Sequence, residues 1–263
     1  MCTIGAVKNF TNRESYFFKN LDQTDQFTYH QPFIEKGSRF RYLKLSSSHN
    51  PREKGVWAGV NEAGMVILGA DGNCLPNYCG TSYTSLNDSL VAYEEALAEC
   101  ETAQEAMEFL MRCYQSKHIG GNGDIIMTGD RNEAIAMEYS PDRWGIQYRA
   151  SLPYLVRSNF FILLNSIRPM PEENTLHTSS AMRYNDALKH LSIKGTQNTL
   201  DDIMDLVKSH YQGETAMSIC RHGGSQEYYT KGSLIVQLTA HSVDAFVVLN
   251  NYPCKAEFRR LTL

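Results

Sequence analysis

The feature that most constrains the fold is a block-wise change of hydrophobic period along the chain. Five short runs near the start, Cys2 to Val7, Ser15 to Lys19, Phe40 to Leu45, Val56 to Val60 and Met65 to Gly69, are rich in β-branched and aromatic residues. Turn chemistry such as Asn61-Glu62-Ala63-Gly64 separates them, so they read as strands. Between Asn87 and Tyr114 the period lengthens. Leu90, Tyr93, Leu97 and Cys100, then Ala106, Phe109, Leu110 and Cys113, recur at helical spacing and predict two amphipathic helices. A capping box at Thr102 and Glu105 would open the second. Strands return at Asp124 to Thr128, Ala134 to Tyr139 and Trp144 to Tyr148, with a further extended run from Tyr154 to Asn159. A second helix pair follows. One stripe carries Tyr184, Ala187, Leu188 and Leu191; the other carries Ile203, Leu206, Val207 and His210 behind an N-cap at Thr199. Ser233 to Leu238, Asp244 to Leu249 and Glu257 to Leu263 close the chain as strands.

A βαβ parallel sheet would alternate single strands with single helices, whereas this chain alternates strand blocks with helix pairs. The pattern predicts an α+β fold, a four-layer αββα sandwich of two mostly antiparallel sheets flanked by helices. At 263 residues one core can bury enough surface, so a single domain over 1–263 is expected. No repeat or low-complexity tract points elsewhere.

Composition narrows the function classes. Twenty-five Lys and Arg against 29 Asp and Glu leave a net charge of −4 with no basic run, so neither nucleic acid nor anionic lipid is an expected partner. The longest apolar runs, Phe160 to Leu164 and Ala245 to Leu249, fall far short of the ~20 residues of a membrane helix. The N-terminal residues lack the pattern of a secretory signal, and a cytoplasmic location is expected. Seven cysteines in no zinc-type spacing read as reduced, buried thiols, so no metal is expected. Cys74 and Cys79 with a distant His fall short of a zinc pattern. Gly69-Ala70-Asp71-Gly72 and Gly120-Gly121-Asn122-Gly123 match no phosphate-cradling loop. Nothing in the chain decides between a monomer and a homo-oligomer.

The chemistry centres on Cys2. Initiator Met is normally trimmed before a small second residue, which would leave a thiol and a free α-amine on one residue. A model α-amine titrates at about 7.7–8.0 and a Cys thiol near 8.5, so the amine can accept the thiol proton near neutral pH. Alternatively, Cys2 merely starts an edge strand. The segment Lys19-Asn20-Leu21-Asp22 ends a strand that can form a hairpin with the Cys2 strand, bringing the Asp22 carboxylate beside the N-terminus to orient the amine. The same Asn-x-Asp is also ordinary turn chemistry.

With these residues in place the chain resembles the cysteine branch of the N-terminal nucleophile hydrolases, which contains choloylglycine (bile salt) hydrolases, penicillin V acylases and isopenicillin N acyltransferase-like proteins. The resemblance rests on Cys2, on Lys19-Asn20-Leu21-Asp22, and on Asn61-Glu62-Ala63-Gly64-Met65-Val66. It continues through Arg157-Ser158-Asn159-Phe160-Phe161, Ser179-Ser180-Ala181-Met182-Arg183 and Ser218-Ile219-Cys220-Arg221-His222, in the family's order and over roughly the whole chain. It implies that Cys2 is the nucleophile, that Asn159 donates to an oxyanion, and that Asp22, Arg183 and Lys19 set the charge around the N-terminus. The branch usually has Arg where Lys19 stands and Asn where Asp71 stands. Lys carries charge without a planar fork, and an ionised Asp71 side chain cannot donate to an oxyanion, so a backbone N–H near Asp71 is the safer donor. From the residues alone, Asp71 is also a turn residue, Asn159 a strand-end amide, and Arg183 a surface partner of Asp186.

The implied reaction is hydrolysis of a linear amide C–N bond through a Cys2 thioester, with no organic cofactor or metal. A small-molecule amide is the implied partner. The loop from Asn73 to Ser85 follows the fifth strand, and Tyr78 and Tyr83 on it would wall the acyl site. Two rivals stand beside hydrolysis: acyl transfer from the same thioester to an amine, and a catalytically silent binding module. Class II glutamine amidotransferases also begin Met-Cys, but their glutamine-binding motifs have no convincing match, with Gly120-Gly121-Asn122-Gly123-Asp124 a poor substitute.

Overall fold

The first two strands set the frame. β1 (Cys2–Asn9) and β2 (Glu14–Thr24) form a hairpin that pairs Cys2 with Leu21, Thr3 with Asn20 and Ile4 with Lys19. The computed structural model describes residues 2–46, 54–72, 84–117, 123–140, 143–148, 153–164, 175–223 and 228–263. In the remaining order the elements are β3 (Phe33–Lys36), β4 (Arg41–Ser46), β5 (Val56–Asn61), β6 (Val66–Asp71), α1 (Thr84–Glu99) and α2 (Ala103–Lys117). There follow β7 (Asp124–Gly129), β8 (Ala134–Ser140), β9 (Arg143–Tyr148), β10 (Tyr154–Arg157), α3 (Thr175–Lys194), α4 (Leu200–Lys208), β11 (Tyr228–Leu238), β12 (Val243–Leu249) and β13 (Arg259–Thr262).

One sheet runs β10-β1-β2-β11-β12-β13 and the other β3-β4-β5-β6-β7-β8-β9, with antiparallel neighbours in both. Strand period explains the layering. Along β2, Phe17 and Leu21 enter the core between the sheets, while Tyr16 and Phe18 pack outward against Ala187 and Leu191 of α3 and Ile203, Leu206 and Val207 of α4. On the other sheet Leu68 and Met127 face inward, and Ile67 and Ile126 meet Leu97, Ala106 and Leu110 of α1 and α2. The result is helix, sheet, sheet, helix, as the sequence pattern predicts. Between the sheets, a Cβ on Gly129 would fall 1.8 Å from the Phe17 ring, so only glycine fits there.

Several details differ from the sequence reading. β3, a short edge strand, was hidden because Phe33–Lys36 shows no extended apolar alternation. β2 runs on through Asn20 and Asp22, so this Asn-x-Asp is strand and not turn. β10 ends at Arg157, short of Asn159. Helix α4 ends at Lys208, leaving His210 beyond it. At α2 the Thr102 hydroxyl accepts the Glu105 N–H at 3.1 Å, but the Glu105 carboxylate bonds the N–H of Glu101, one residue before the expected partner.

The Asn61-Glu62-Ala63-Gly64 turn between β5 and β6 is held by Asn61. Its side chain accepts the Met65 N–H at 2.9 Å and donates to the carbonyls of Leu97 (3.0 Å) and Cys100 (2.7 Å) at the end of α1. Gly64 adopts φ +91°, a left-handed conformation that glycine takes without steric cost.

Candidate active site around Cys2

β1 is not an edge strand, because β10 and β2 flank it, and Cys2 is buried at the margin of the core between the sheets. The same register explains who meets it. Ile4 pairs with Arg157, and continuing that antiparallel count brings Asn159 level with Cys2 just after β10 ends. The Cys2 nitrogen donates to Asn159 Oδ1 at 2.6 Å, and Asn159 Nδ2 donates to the Asp71 carbonyl at 2.8 Å. One buried amide therefore ties the start of β1 to the end of β6 in the opposite sheet. Ser158 adds a 3.4 Å bond from its hydroxyl to the Cys2 carbonyl.

Arg183 comes from α3 and is completely buried. Its Nη1 donates to the Cys2 carbonyl and to Thr3 Oγ1, each at 2.9 Å; its Nη2 donates to Asn159 Oδ1 and to Ser180 Oγ, each at 3.2 Å. Burial pulls its guanidinium down to about 10, with the Asp22 carboxylate opposing, so it stays cationic at neutral pH. The surface pair with Asp186 is overturned: Asp186 bonds Gln212 instead. Periodicity left Arg183 open because it reads as lying next to the apolar stripe, and its burial and hydrogen bonds settle its place.

Asp22 is buried on the same outer face of the sheet. Thr230 Oγ1 donates to its Oδ1 at 2.8 Å, and its Oδ2 lies 3.6 Å from both Arg183 Nη1 and Arg221 Nη1. The hairpin does bring Asp22 beside the N-terminus, as expected. The hydrogen bond on the Cys2 nitrogen is with Asn159, however, and Asp22 serves two guanidiniums. Lys19, one residue out of phase with Asn20 and Asp22, points between the sheets. It is buried, bonds the Gly69 carbonyl of β6 and lies 5.7 Å from the Trp57 ring. Asp71 ends β6 opposite Asp124 of β7, so its contribution here is through its backbone carbonyl. Tyr78 and Tyr83 lie outside the described residues.

Sequence reasoning missed four contributors. Tyr29 is buried in the inter-sheet core; burial pushes its phenol well up, with the charges of Cys2 and Asp22 adding to the rise. Arg221 and Thr230 join Asp22: Arg221 stood in the Ser218–His222 motif without an assigned role, and Thr230, one residue in a strand, carries no periodic signal. Glu138 is buried under the Arg157-Ser158-Asn159 segment: Oε1 accepts Arg157 Nε at 2.8 Å, and Oε2 accepts the N–H groups of Ile162, Leu163 and Leu164. Among the described residues the group with metal-ligand chemistry is His210, Cys220, His222 and Cys254, which does not include Cys2.

No model of a known family matches the sequence, and no curated protein matches it either. Solved structures do. The chain is similar to a Caenorhabditis elegans N-acylethanolamine-hydrolyzing acid amidase ortholog, at TM-score 0.55 and 14% identity over 89% of this chain and 92% of that one. It is similar to a variant of the conjugated bile acid hydrolase from Clostridium perfringens, at 0.56 and 11% over 99% and 96%. It is also similar to penicillin V acylase from Agrobacterium tumefaciens, at 0.57 and 12% over 94% and 83%. With helix pairs outside two facing antiparallel sheets and Cys2 opening an interior strand, the chain has the four-layer αββα fold of the N-terminal nucleophile hydrolases.

Proposed function

We propose that the protein is an N-terminal cysteine amidohydrolase, working as a single domain, that cleaves a linear amide through a thioester on Cys2. The observation that carries this reading is the 2.6 Å contact between the Cys2 nitrogen and Asn159 Oδ1, with the buried Arg183 guanidinium bonded to the same amide oxygen. With Met1 attached that nitrogen is a peptide N–H. Removal of Met1 would make it an amine in the same place, oriented by the same acceptor.

The amine then takes the Cys2 thiol proton, and the thiolate forms a C–S bond to the substrate carbonyl. An amide NH2 group has two N–H donors. Asn159 spends one on Asp71, which leaves the other to meet the oxyanion, helped by a backbone N–H near Asp71. Collapse of the intermediate breaks the C–N bond, the ammonium on Cys2 protonates the leaving amine, and water releases the acid by the reverse sequence. Arg183 and Arg221 both face the Asp22 carboxylate beside the N-terminus and set the charge there. Lys19 adds a third cation from the inter-sheet side, while Tyr78 and Tyr83 are proposed to wall the acyl group.

The neighbours' names suggest the first panel: an N-acylethanolamine, a conjugated bile acid and penicillin V, each assayed by amine release. The parent is expected to release amine from at least one, and Cys2→Ala from none. Turnover by Cys2→Ala equal to the parent's would overturn the reading.

A further inference from the structure

Beyond the Asp22 cluster, two loops meet at a group of four side chains that the proposed chemistry does not use. His210, Cys220 and His222 come from the loop between α4 and β11, and Cys254 from the loop after β12. One nitrogen or sulfur from each lies within 4.8 Å of the corresponding atoms of the other three. His222 Nε2 is 3.2 Å from Cys254 Sγ and 3.6 Å from Cys220 Sγ. A tetrahedral zinc ion with Zn–S of about 2.3 Å and Zn–N of about 2.0 Å spaces its ligand atoms roughly 3.3–3.8 Å apart, so these contacts already match two edges of such a site. The widest separation needs to close by only about 1 Å.

Two further observations point to a ligand. His210 Nε2 is buried with no hydrogen-bond partner among the described residues, and a buried ring nitrogen calls for a partner such as a metal ion. The other ring nitrogen of His222, Nδ1, is 3.5 Å from the Glu214 carboxylate, which is how metal-bound histidines are usually steadied. The His222 ring also stacks on Tyr252, with centroids 4.0 Å apart and planes at 11°.

The geometry points to a structural zinc site with two cysteine and two histidine ligands, His210, Cys220, His222 and Cys254. Two thiolates with two imidazoles suit zinc over harder cations, and four protein ligands leave no open position for a substrate. The metal clamps the loop that carries Arg221, whose N–H is 2.8 Å from Thr230 Oγ1 and whose guanidinium faces Asp22. Sequence spacing concealed it, because Cys220-x-His222 with His210 upstream and Cys254 in a distant loop follows no zinc-finger pattern.

The test measures metal and not turnover. Protein purified without chelators is expected to carry about one zinc per chain, and Cys254→Ser and His210→Gln to lose most of it, while Cys113→Ser keeps it. As a second measurement that needs no variant, chelator-stripped parent titrated with Co(II) is expected to develop thiolate-to-cobalt charge-transfer absorption with visible bands of tetrahedral cobalt, saturating at one equivalent. Purified protein without stoichiometric metal and without a cobalt–thiolate spectrum overturns the site. So does a Cys220–Cys254 disulfide found in the protein isolated under thiol-blocking conditions.

Discussion

The amide oxygen of Asn159 sits 2.6 Å from the nitrogen of Cys2, and the two residues are level because β10 and β1 pair in a register that runs on past the end of β10. The same amide spans both sheets through its bond to the Asp71 carbonyl. In the proposed mechanism it orients the base and donates to the oxyanion. Asn159→Ala is therefore expected to lower kcat by about 10²–10³ with a smaller change in KM. Asn159→Asp, which keeps the acceptor but loses the donor, should be similarly slow. Steady-state kinetics on whichever amide proves to be turned over checks both, and parent-like kcat in either variant would contradict the role.

Arg183 and Asp22 form a buried ion pair in which the arginine also carries four hydrogen bonds. Truncating one partner of such a pair leaves a charge without its counterion and costs about 3–5 kcal/mol. Arg183→Met is expected to show a loss of that size in urea unfolding. Arg183→Lys should recover only part of it, since an ammonium cannot reproduce the planar fork.

The αββα layering was legible because it rests on period, and period-2 strands with 3.6-residue helices can be read from apolar positions alone. Asp22 beside the N-terminus was legible for the same reason, through the length of the first hairpin. The partner of the Cys2 nitrogen was not. Which of Asn159 and Asp22 reaches it depends on strand register across β10-β1-β2 and on which face of β2 each side chain leaves, and Lys19 and Asp22 leave opposite faces. Buried polar residues that act through tertiary contacts, such as Glu138 under the 157–164 segment and Arg221 against Asp22, have partners distant in sequence, so neither the strand run nor the Ser218–His222 motif names those partners.

Asn61 illustrates a motif residue with a structural job. Three buried hydrogen bonds fasten the β5–β6 turn to the end of α1. Asn61→Ala is expected to cost about 1–3 kcal/mol in a denaturant titration while leaving KM near the parent value. A stability equal to the parent's would show that water replaces those bonds.

Asp124 supplies a pH dependence. Burial raises its carboxyl to about 6, against the pull of hydrogen bonds from Tyr114 and Ser89, with the charge of Asp71 adding to the rise. Since the unfolded value is about 3.9, the folded chain binds the proton more tightly. That contribution to stability is fully present below pH ~4 and is lost as pH rises through about 6. Asp124→Asn removes the titration, so the stability of the variant relative to the parent should rise between pH 4 and pH 7, by on the order of 2 kcal/mol. A difference that stays flat across thermal melts in that window would contradict the assignment.

The central claim is that Cys2, freed of Met1, carries the acyl group. Intact mass of the protein expressed from its own start codon, before and after brief incubation with an activated acyl amide, tests it most directly. The account predicts loss of one Met, then a transient mass increase of one acyl group that peptide mapping places on Cys2 and that Cys2→Ala lacks. Retained Met1 with no adduct on Cys2 would contradict it, because the base would then be locked in a peptide bond.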